Sequence, residues 1–247
     1  MGLNRRLVID VGMSEGNDTE FYLRKGFDVV GVEADPALHA GLEARFADAI
    51  AAGRLRIVKR AAARTAGSSV AFWHDTREQG HSSLDRRERT AQDVEAFQVA
   101  TIDWAGLSAI AGVPYYLKID SEGGEPALLE GMVGTPEPPP YISAEVQTFA
   151  PIELFRRIGY TQFRLINQNI WPGVVPPQPP REGVYVPDPK RDNWSGLFGR
   201  ELPGTRWFSF DEIKEVHATI HRLWTYETLI TGWMDCHARR PEAIEAP

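Results

Sequence analysis

The sequence predicts an α/β protein built on a mostly parallel sheet, and three observations support this class. From residue 1 to about 167, short runs rich in Val, Ile and Leu alternate with amphipathic stretches, as in strands covered by helices. The strand candidates are nearly continuous apolar runs, which is typical of a sheet buried on both faces. A chain of 247 residues with 43% hydrophobic residues can also bury one sizeable core.

The first α/β unit is the clearest part of this pattern. Its strand, helix and second strand are predicted at residues 7–11, 18–26 and 28–33. The helix has an N-terminal cap in Asp18 and a closing glycine in Gly26. Asp35 and Pro36 start the next helix, because aspartate caps free amides and proline fits the first turn. We expect this helix to run to about residue 50.

The remaining elements continue the alternation of strands and helices. The further strands are predicted at residues 55–59, 69–73, 99–102, 115–120, 141–146 and 162–166, and the helices at residues 126–132 and 152–158. Strand 162–166 is expected to be the last one. The core therefore occupies residues 1–170.

Two segments follow the core. Twelve of the 18 prolines lie between Thr135 and Pro189, so residues 171–208 are predicted to form a proline-rich connection or lid. Ser209 and Glu212 then form a capping box, and apolar residues repeat at helical spacing after them. Within residues 209–247 we expect a C-terminal helix, over 210–237, that packs on the core or on a dimer partner.

Composition and charge restrict the function. The net charge of -7 argues against nucleic acid as a partner, because non-specific binding to it needs a concentrated basic surface. Cys236 is the single cysteine, which excludes an internal disulfide framework. No apolar run approaches the roughly 20 residues of a membrane span, and the run before Asp10 is too short for a signal peptide. We expect a cytoplasmic protein without membrane insertion.

A glycine-containing loop between the first strand and helix is the first candidate site. Gly12 and Gly16 allow a tight turn and a close ligand approach, and Asp10 places a carboxylate at the strand end. The spacing is Gly-x-x-x-Gly, which differs from the fingerprint that receives a dinucleotide pyrophosphate. Glu33 ends the second strand roughly 20 residues later, as expected for an acid that binds ribose hydroxyls. Together these residues suit S-adenosylmethionine, although glycines and acids at strand ends also occur without a ligand.

A second group of acids follows the strand at 115–120. Asp120 and Glu122 precede two glycines and are candidate catalytic carboxylates. In the structural alternative, Asp120 only caps a turn and Glu125 helps to start the next helix through its dipole. His81 is a further candidate base, because imidazole titrates near neutral pH, or a solvated loop histidine. Glu145 completes a set with Asp120 and Glu122 that could bind a divalent cation such as Mg²⁺.

Other residues of the C-terminal region have functional alternatives. His217 and His221 share a helix face, as in a zinc site, but two solvated helix histidines explain them better. Trp171, Trp194 and Trp207 are core or lid residues that could stack on a sugar ring.

These motifs, taken in order, resemble the FkbM-type family of S-adenosylmethionine-dependent methyltransferases over roughly residues 7–167. The resemblance is carried by the glycine loop and by the segments Gly31-Val32-Glu33-Ala34-Asp35-Pro36, Ser82-Ser83-Leu84, Thr101-Ile102-Asp103, Leu117-Lys118-Ile119-Asp120-Ser121-Glu122-Gly123, Leu129-Glu130-Gly131 and Ile142-Ser143-Ala144-Glu145-Val146. Ser121 and Gly124 depart from the family, which more often has an apolar residue and alanine there. Neither departure removes a carboxylate.

The resemblance implies a seven-stranded Rossmann-like sheet of the class I methyltransferase type and transfer of a methyl group to a hydroxyl of a saccharide or secondary metabolite. The candidate cofactor-binding residues are Asp10, Gly12, Glu15, Gly16, Asp18, Thr19, Glu33, Ala34, Ser83 and Asp120. Two other functions remain open from the residues alone. One is an NAD(P)-dependent oxidoreductase on the same fold, and the other is a non-catalytic module that binds S-adenosylmethionine. A homodimer is also possible.

Overall fold

A seven-stranded, mostly parallel sheet forms the centre of the computed structural model, which describes residues 2–75, 94–187, 194–225 and 232–240. The strands are β1 (Leu3–Val11), β2 (Asp28–Val32), β3 (Leu55–Val58), β4 (Ala61–Ala62), β5 (Ser69–Asp75), β6 (Val94–Ile102), β7 (Val113–Ile119), β8 (Tyr141–Glu145), β9 (Gln162–Asn167) and β10 (Met234–Arg239). The helices are α1 (Asn17–Arg24), α2 (Pro36–Arg45), α3 (Ala47–Ala51), α4 (Trp104–Ala111), α5 (Glu125–Met132), α6 (Ala150–Ile158) and α7 (Phe210–Thr225). The sheet order is β3-β2-β1-β7-β8-β10-β9, which confirms the predicted fold class.

The order of the sheet brings the candidate loops together. β1 pairs in parallel with β2 on one side and with β7 on the other, and β7 pairs in parallel with β8. The carboxyl ends of these four strands therefore lie at one edge of the sheet. In an open α/β sheet this edge is where ligands bind.

The two faces of the sheet are covered by different layers. Apolar side chains of α4, α5, α6 and α7 pack on one face, where Leu107, Leu129, Phe155 and Ile213 are fully buried. The other face is covered by α1 and by residues after 194, including Leu197 and Phe198. The ring of Phe198 stacks on Tyr116 of β7 with 4.6 Å between ring centroids. The C-terminal helix thus packs on the core through Ile213, and a role of residues 171–208 as a lid stays a prediction.

The C-terminal end differs most from the sequence prediction. The expected helix over 210–237 is wrong in its extent, because α7 ends at Thr225 and residues 234–239 form β10. β10 lies between β8 and β9 and runs antiparallel to both. The expectation that strand 162–166 is the last strand is therefore also wrong. The sheet reaches seven strands only because β10 is inserted beside β9.

Three smaller differences concern the middle of the chain. β5 and β6 are strands as predicted, but they belong with β4 to a separate three-stranded sheet. Helix α4 was not predicted; Asp103 caps it by accepting a hydrogen bond of 2.8 Å from Gly106 N–H. The helix predicted from Pro36 to residue 50 is broken at Phe46 into α2 and α3.

Among the described residues, no helix combines the length and the apolar composition needed to cross a bilayer.

Candidate active site

The glycine loop after β1 is pressed between the ends of β2 and β7. Gly12 has a φ of +78°, and a Cβ atom there would lie 1.6 Å from the carbonyl oxygen of Asp120. A side chain at this position would collide with the backbone, so both the conformation and the close approach require glycine. Gly16 begins α1 with a φ of +86° and packs against Phe46. The two glycines therefore fix the path of the loop.

The backbone amides of this loop are already bound within the protein. The N–H groups of Gly12 and Met13 donate to the carbonyl oxygen of Val32 over 2.9 and 3.2 Å. The Gly16 N–H donates to Met13 O over 2.7 Å, and the Ser14 N–H donates to a carboxylate oxygen of Glu33. A diphosphate binds at such loops through free N–H groups. Four N–H groups of this loop are already bound and cannot hold a diphosphate. This agrees with the Gly-x-x-x-Gly spacing, which differs from the dinucleotide-binding fingerprint.

Glu33 is held rigidly at the end of β2. One carboxylate oxygen accepts a hydrogen bond of 2.7 Å from Ser14 N–H, and the other accepts one of 2.8 Å from Asp35 N–H. Burial raises the pKa of Glu33 to about 7, against the opposing effect of these two donors. Each oxygen keeps a second lone pair for a ligand hydroxyl. Ala34, which follows, is half-buried beside an apolar cluster of β4, β5 and β6.

Lys118 connects three aspartates beneath the loop. Its Nζ atom lies 3.5 Å from Asp10, 2.9 Å from Asp18 and 3.5 Å from Asp120. The Thr19 hydroxyl donates to the second oxygen of Asp10 over 2.7 Å. Burial raises the pKa of Asp10 to about 6, and the charge of Lys118 opposes this rise. Asp10, Asp18 and Thr19, three predicted cofactor-binding residues, thus lie in one buried polar network.

Asp18 also receives hydrogen bonds from the C-terminal region. The Ser195 N–H donates to one carboxylate oxygen of Asp18 over 2.9 Å, and the Ser195 hydroxyl donates to the other over 2.7 Å. With Lys118 as a further partner, Asp18 fixes the start of α1 relative to β7 and the C-terminal region. A direct contact of Asp18 with a cofactor stays a prediction.

The predicted catalytic carboxylates come together at the ends of β7 and β8. Asp120, Glu122 and Glu145 each offer a carboxylate oxygen, and these three atoms lie within 4.8 Å of one another. All three residues are half-buried. Burial, with the nearby charges of Asp120 and Glu122, raises the pKa of Glu145 to about 7. A group with this pKa can accept a proton near neutral pH.

The loop that carries Glu122 is shaped by Glu125. The Glu125 carboxylate accepts hydrogen bonds from Ser121 N–H over 2.7 Å and from Gly123 N–H over 3.0 Å. Glu122 lies between these donors with a φ of +54°, an uncommon conformation for a residue with a side chain. Glu125 therefore closes this loop at the start of α5 and positions Glu122.

Asp235 is an acidic residue of this region that the sequence analysis missed. Asp235 lies on β10 directly opposite Glu145 of β8 and is 5% exposed. Burial and the charge of Asp120 raise the pKa of Asp235 well above its ordinary value. No signal pointed to Asp235, because its strand was predicted to be helix. Lys118 did carry a signal, since a lysine inside a buried strand requires charged partners.

The described residues do not place the remaining candidates in these networks. Glu15 is exposed, and its carbonyl oxygen accepts a hydrogen bond from Arg45. His81 and Ser83 lie outside the described residues. The rings of His217 and His221 stack on each other on α7, and no group of three metal-binding side chains within the described residues includes them.

The tryptophans have structural partners. Trp171 and Trp194 are buried and pack together with 5.6 Å between ring centroids, so the suggestion that they stack on a sugar is wrong. The guanidinium groups of Arg164 and Arg239 lie 4.7 and 4.3 Å from the ring of Trp207.

A cavity of about 710 Å³ lies at the opposite end of the sheet. It is lined by the first residues of β1 and β7, including Arg5 and Tyr115, and by Glu182 and Arg200. None of the candidate site residues lines this cavity. It is therefore separate from the acidic site at the carboxyl edge.

The fold is an open α/β sheet whose candidate site lies at the carboxyl ends of its parallel strands. A protein-family model described as "Methyltransferase FkbM domain" matches residues 10–164, which is more than half of the sequence. The chain belongs to the FkbM methyltransferase family. This membership decides against the NAD(P)-dependent oxidoreductase. A search of curated proteins finds no match to this sequence.

Solved structures of methyltransferases are similar to this chain at low sequence identity. Methyltransferase FkbM from Methylobacillus flagellatus KT is 17% identical with a TM-score of 0.44, and the match covers 68% of this chain and 41% of that one. Precorrin-6y C5,15-methyltransferase from Geobacter metallireducens GS-15 is 8% identical with a TM-score of 0.40, over 97% and 82% of the two chains. This chain thus matches less than half of the first protein's length.

Proposed function

We propose that this methyltransferase transfers a methyl group from S-adenosylmethionine to a hydroxyl oxygen of a saccharide or secondary metabolite. The observation that carries the proposal is the position of Asp120, Glu122 and Glu145 at the strand ends beside the glycine loop. Transfer to an alcohol needs a group that removes the hydroxyl proton, because an alcohol is nearly un-ionised at neutral pH. Three clustered carboxylates next to the cofactor loop supply such a group.

The donor set of the loop suits this cofactor. The ligand combines ribose hydroxyls with an ammonium group, and both are hydrogen-bond donors that carboxylates accept. Glu33 would hold the ribose hydroxyls, and Asp10 or a loop carbonyl would receive the ammonium. The apolar surface beside Ala34 would contact the adenine ring. The amides of Gly12 and Ser14 are bound within the protein and are therefore not available to a diphosphate.

The chain's own residues would position the acceptor and take its proton. When bound, the cofactor supplies a methyl group on a sulfonium, whose sulfur–carbon bond breaks as the oxygen–carbon bond forms and leaves its electron pair on sulfur. The acceptor hydroxyl would lie against the carboxylate group, with its oxygen lone pair directed at the methyl carbon. Glu145, Asp120 or Glu122 would receive the hydroxyl proton. His81 remains a further proposed base.

A labelled-methyl assay tests this function. The protein is incubated with S-adenosylmethionine labelled on its methyl group and with acceptors that share one sugar skeleton but present a hydroxyl, an amine or a thiol. We expect a methyl ether as the product. Label found on nitrogen or sulfur would contradict transfer to oxygen, and cofactor binding without transfer to any acceptor would favour the non-catalytic module.

Asp120→Asn separates catalysis from cofactor binding in the same assay. If Asp120 takes part in proton removal, the variant should lose turnover by about 100-fold or more. Its affinity for S-adenosylhomocysteine, measured by calorimetry, should change little. Glu43→Gln, at an exposed acid of α2, is the control with the same change of charge. Full turnover in Asp120→Asn would remove Asp120 from the mechanism.

A further inference from the structure

Three carboxylates at the ends of β7 and β8 have the spacing of ligands around one cation. Oxygen atoms of Asp120, Glu122 and Glu145 lie within 4.8 Å of one another. Divalent cations hold oxygen ligands at about 2.0 to 2.6 Å, so two ligands of one cation are separated by at most about twice that distance. Solvated carboxylates alone can also form a cluster of this kind.

The second observation is the buried carboxylate of Asp235. Its side chain lies on the same face of the sheet as Glu145, because the two residues are directly paired and the neighbouring Cys236 and Ala238 pack in the core of the other face. Asp235 is 5% exposed, and within the described ranges no hydrogen bond reaches its carboxylate. A buried carboxylate without such a partner is costly unless a positive charge compensates it.

The lysine of this region cannot fully supply that charge. Lys118 is in contact with Asp10, Asp18 and Asp120, and its shortest contact, of 2.9 Å, is to Asp18. The single positive charge of Lys118 is therefore shared among three aspartates, and Asp235, Glu122 and Glu145 add further negative charge. The arrangement has an excess of negative charge on the face where Asp235 and Glu145 are paired.

We propose that Asp120, Glu122 and Glu145 bind one divalent cation of the hard type, such as Mg²⁺ or Mn²⁺, and that the buried negative charge of Asp235 beside them strengthens this binding without direct ligation. Carboxylate oxygens are the ligands that these cations prefer. The role of the cation rests on the proposed function: the cation binds the acceptor hydroxyl and lowers the pKa of that hydroxyl. With the cation bound, the hydroxyl proton leaves to water instead of to one of these carboxylates, and the oxygen keeps the bonding electron pair with which it attacks the methyl carbon.

Binding of Mn²⁺ alone tests the site without any methyl transfer. The full chain is titrated with Mn²⁺, and free Mn²⁺ is followed by electron paramagnetic resonance in the absence of cofactor and acceptor. We expect one bound Mn²⁺ per chain, displaced by excess Mg²⁺. Asp235→Asn and Glu122→Gln should each weaken binding by about tenfold or more. Glu43→Gln removes one exposed acid away from the cluster and should leave the affinity unchanged.

Two controls keep the outcomes separate. Thermal unfolding of each variant shows whether it folds, and Glu122→Gln, at a half-buried loop residue, provides a test if Asp235→Asn does not fold. No saturable binding at millimolar Mn²⁺, or equal binding by wild type and all variants, would overturn the site. Methyl-ether formation in excess chelator would overturn the role of the cation and leave the proposed function intact. Site-specific Mn²⁺ binding by a protein that methylates no hydroxyl would support the site and contradict the proposed function.

Discussion

Two buried carboxylates, those of Glu33 and Asp10, have raised pKa values because both are buried, but their hydrogen-bond partners differ. Burial disfavours the charge of each group and raises the pKa of Glu33 to about 7 and that of Asp10 to about 6. Glu33 is bound by backbone amides, whereas Asp10 is bound by Thr19 and lies near Lys118. Because backbone donors do not titrate, the ionisation of Glu33 should be visible in ligand affinity.

The first prediction follows from the raised pKa of Glu33. At pH 6 the group is mostly protonated and at pH 8 it is mostly ionised, and the ionised form is the better acceptor for two ribose hydroxyls. Affinity for S-adenosylhomocysteine, measured by calorimetry, should therefore increase by about tenfold from pH 6 to pH 8. Glu33→Gln should bind less tightly and flatten this dependence, which separates Glu33 from Asp10. An unchanged slope in Glu33→Gln would contradict the ribose role.

The second prediction concerns Lys118. Replacing it by methionine leaves the carboxylates of Asp10 and Asp18 buried without their cation, a change that costs about 3 to 5 kcal/mol of unfolding free energy. Lys59 makes an ion pair with Glu43 in which both side chains are over 40% exposed, so Lys59→Met should cost less than about 1 kcal/mol. Urea denaturation of both variants measures the difference. Equal losses would mean that Lys118 contributes no more than a surface lysine.

At the residue scale, local motifs predicted which strand ends carry the candidate site residues. They did not predict which distant residues contact them. Asp10, Glu33 and Asp120 stand at the ends of predicted strands, and parallel pairing brings strand ends together. Ser195 and Asp235 come from parts of the chain that are distant in sequence from these strand ends. Their contacts depend on how residues after 170 return to the sheet, and no periodic pattern encodes that path.

At the scale of elements, β10 shows why the last strand escaped prediction. Its residues are buried, yet Asp235 and His237 interrupt the apolar pattern that indicates a buried strand. The helical spacing of Ile213, Val216 and Ile220 is genuine, and extending it beyond Thr225 produced the error. Asp235 lies directly opposite Glu145, so one of the two polar residues that hid the strand belongs to the acidic region at the carboxyl edge.

The third prediction concerns the segment of residues 194–199 that covers α1. Gly196 has a φ of +93°, and a Cβ atom there would lie 1.8 Å from the ring of Trp171. Gly204 is the matched control, with a φ of +82° and no atom within 4 Å of a built Cβ. Gly204→Ala should lose about 1 to 2 kcal/mol from backbone strain alone, and Gly196→Ala a further 1 to 3 kcal/mol from overpacking.

Thermal unfolding and hydrogen exchange measure these two alanine variants. Besides its lower stability, Gly196→Ala should lose protection at the Ser195 amide, which donates to Asp18. Gly204→Ala should keep that protection. If both variants lose the same stability and both keep the protection, the segment does not depend on its packing against Trp171.

At the scale of the whole molecule, opposite ends of the sheet have opposite character. The carboxyl edge carries Asp10, Glu33 and the carboxylate cluster, and the amino edge carries an arginine-lined cavity. The net charge of -7 is therefore unevenly distributed. A ligand that presents hydroxyl and ammonium donors matches the carboxyl edge, whereas a diphosphate would bring negative charge to an acidic site whose loop amides are already bound.

The last prediction compares these two ligand types through the stability of the whole chain. A ligand that binds only the folded state adds about 2.7 kcal/mol when its concentration is 100 times its dissociation constant. For a protein of this size that gain raises the unfolding temperature by roughly 5 to 11 °C. S-adenosylhomocysteine should produce this shift, and NADH at the same concentration should produce none. A shift with NADH alone would mean that the loop amides rearrange to bind phosphate, and the assignment of the cofactor site to Asp10 and Glu33 would have to be withdrawn.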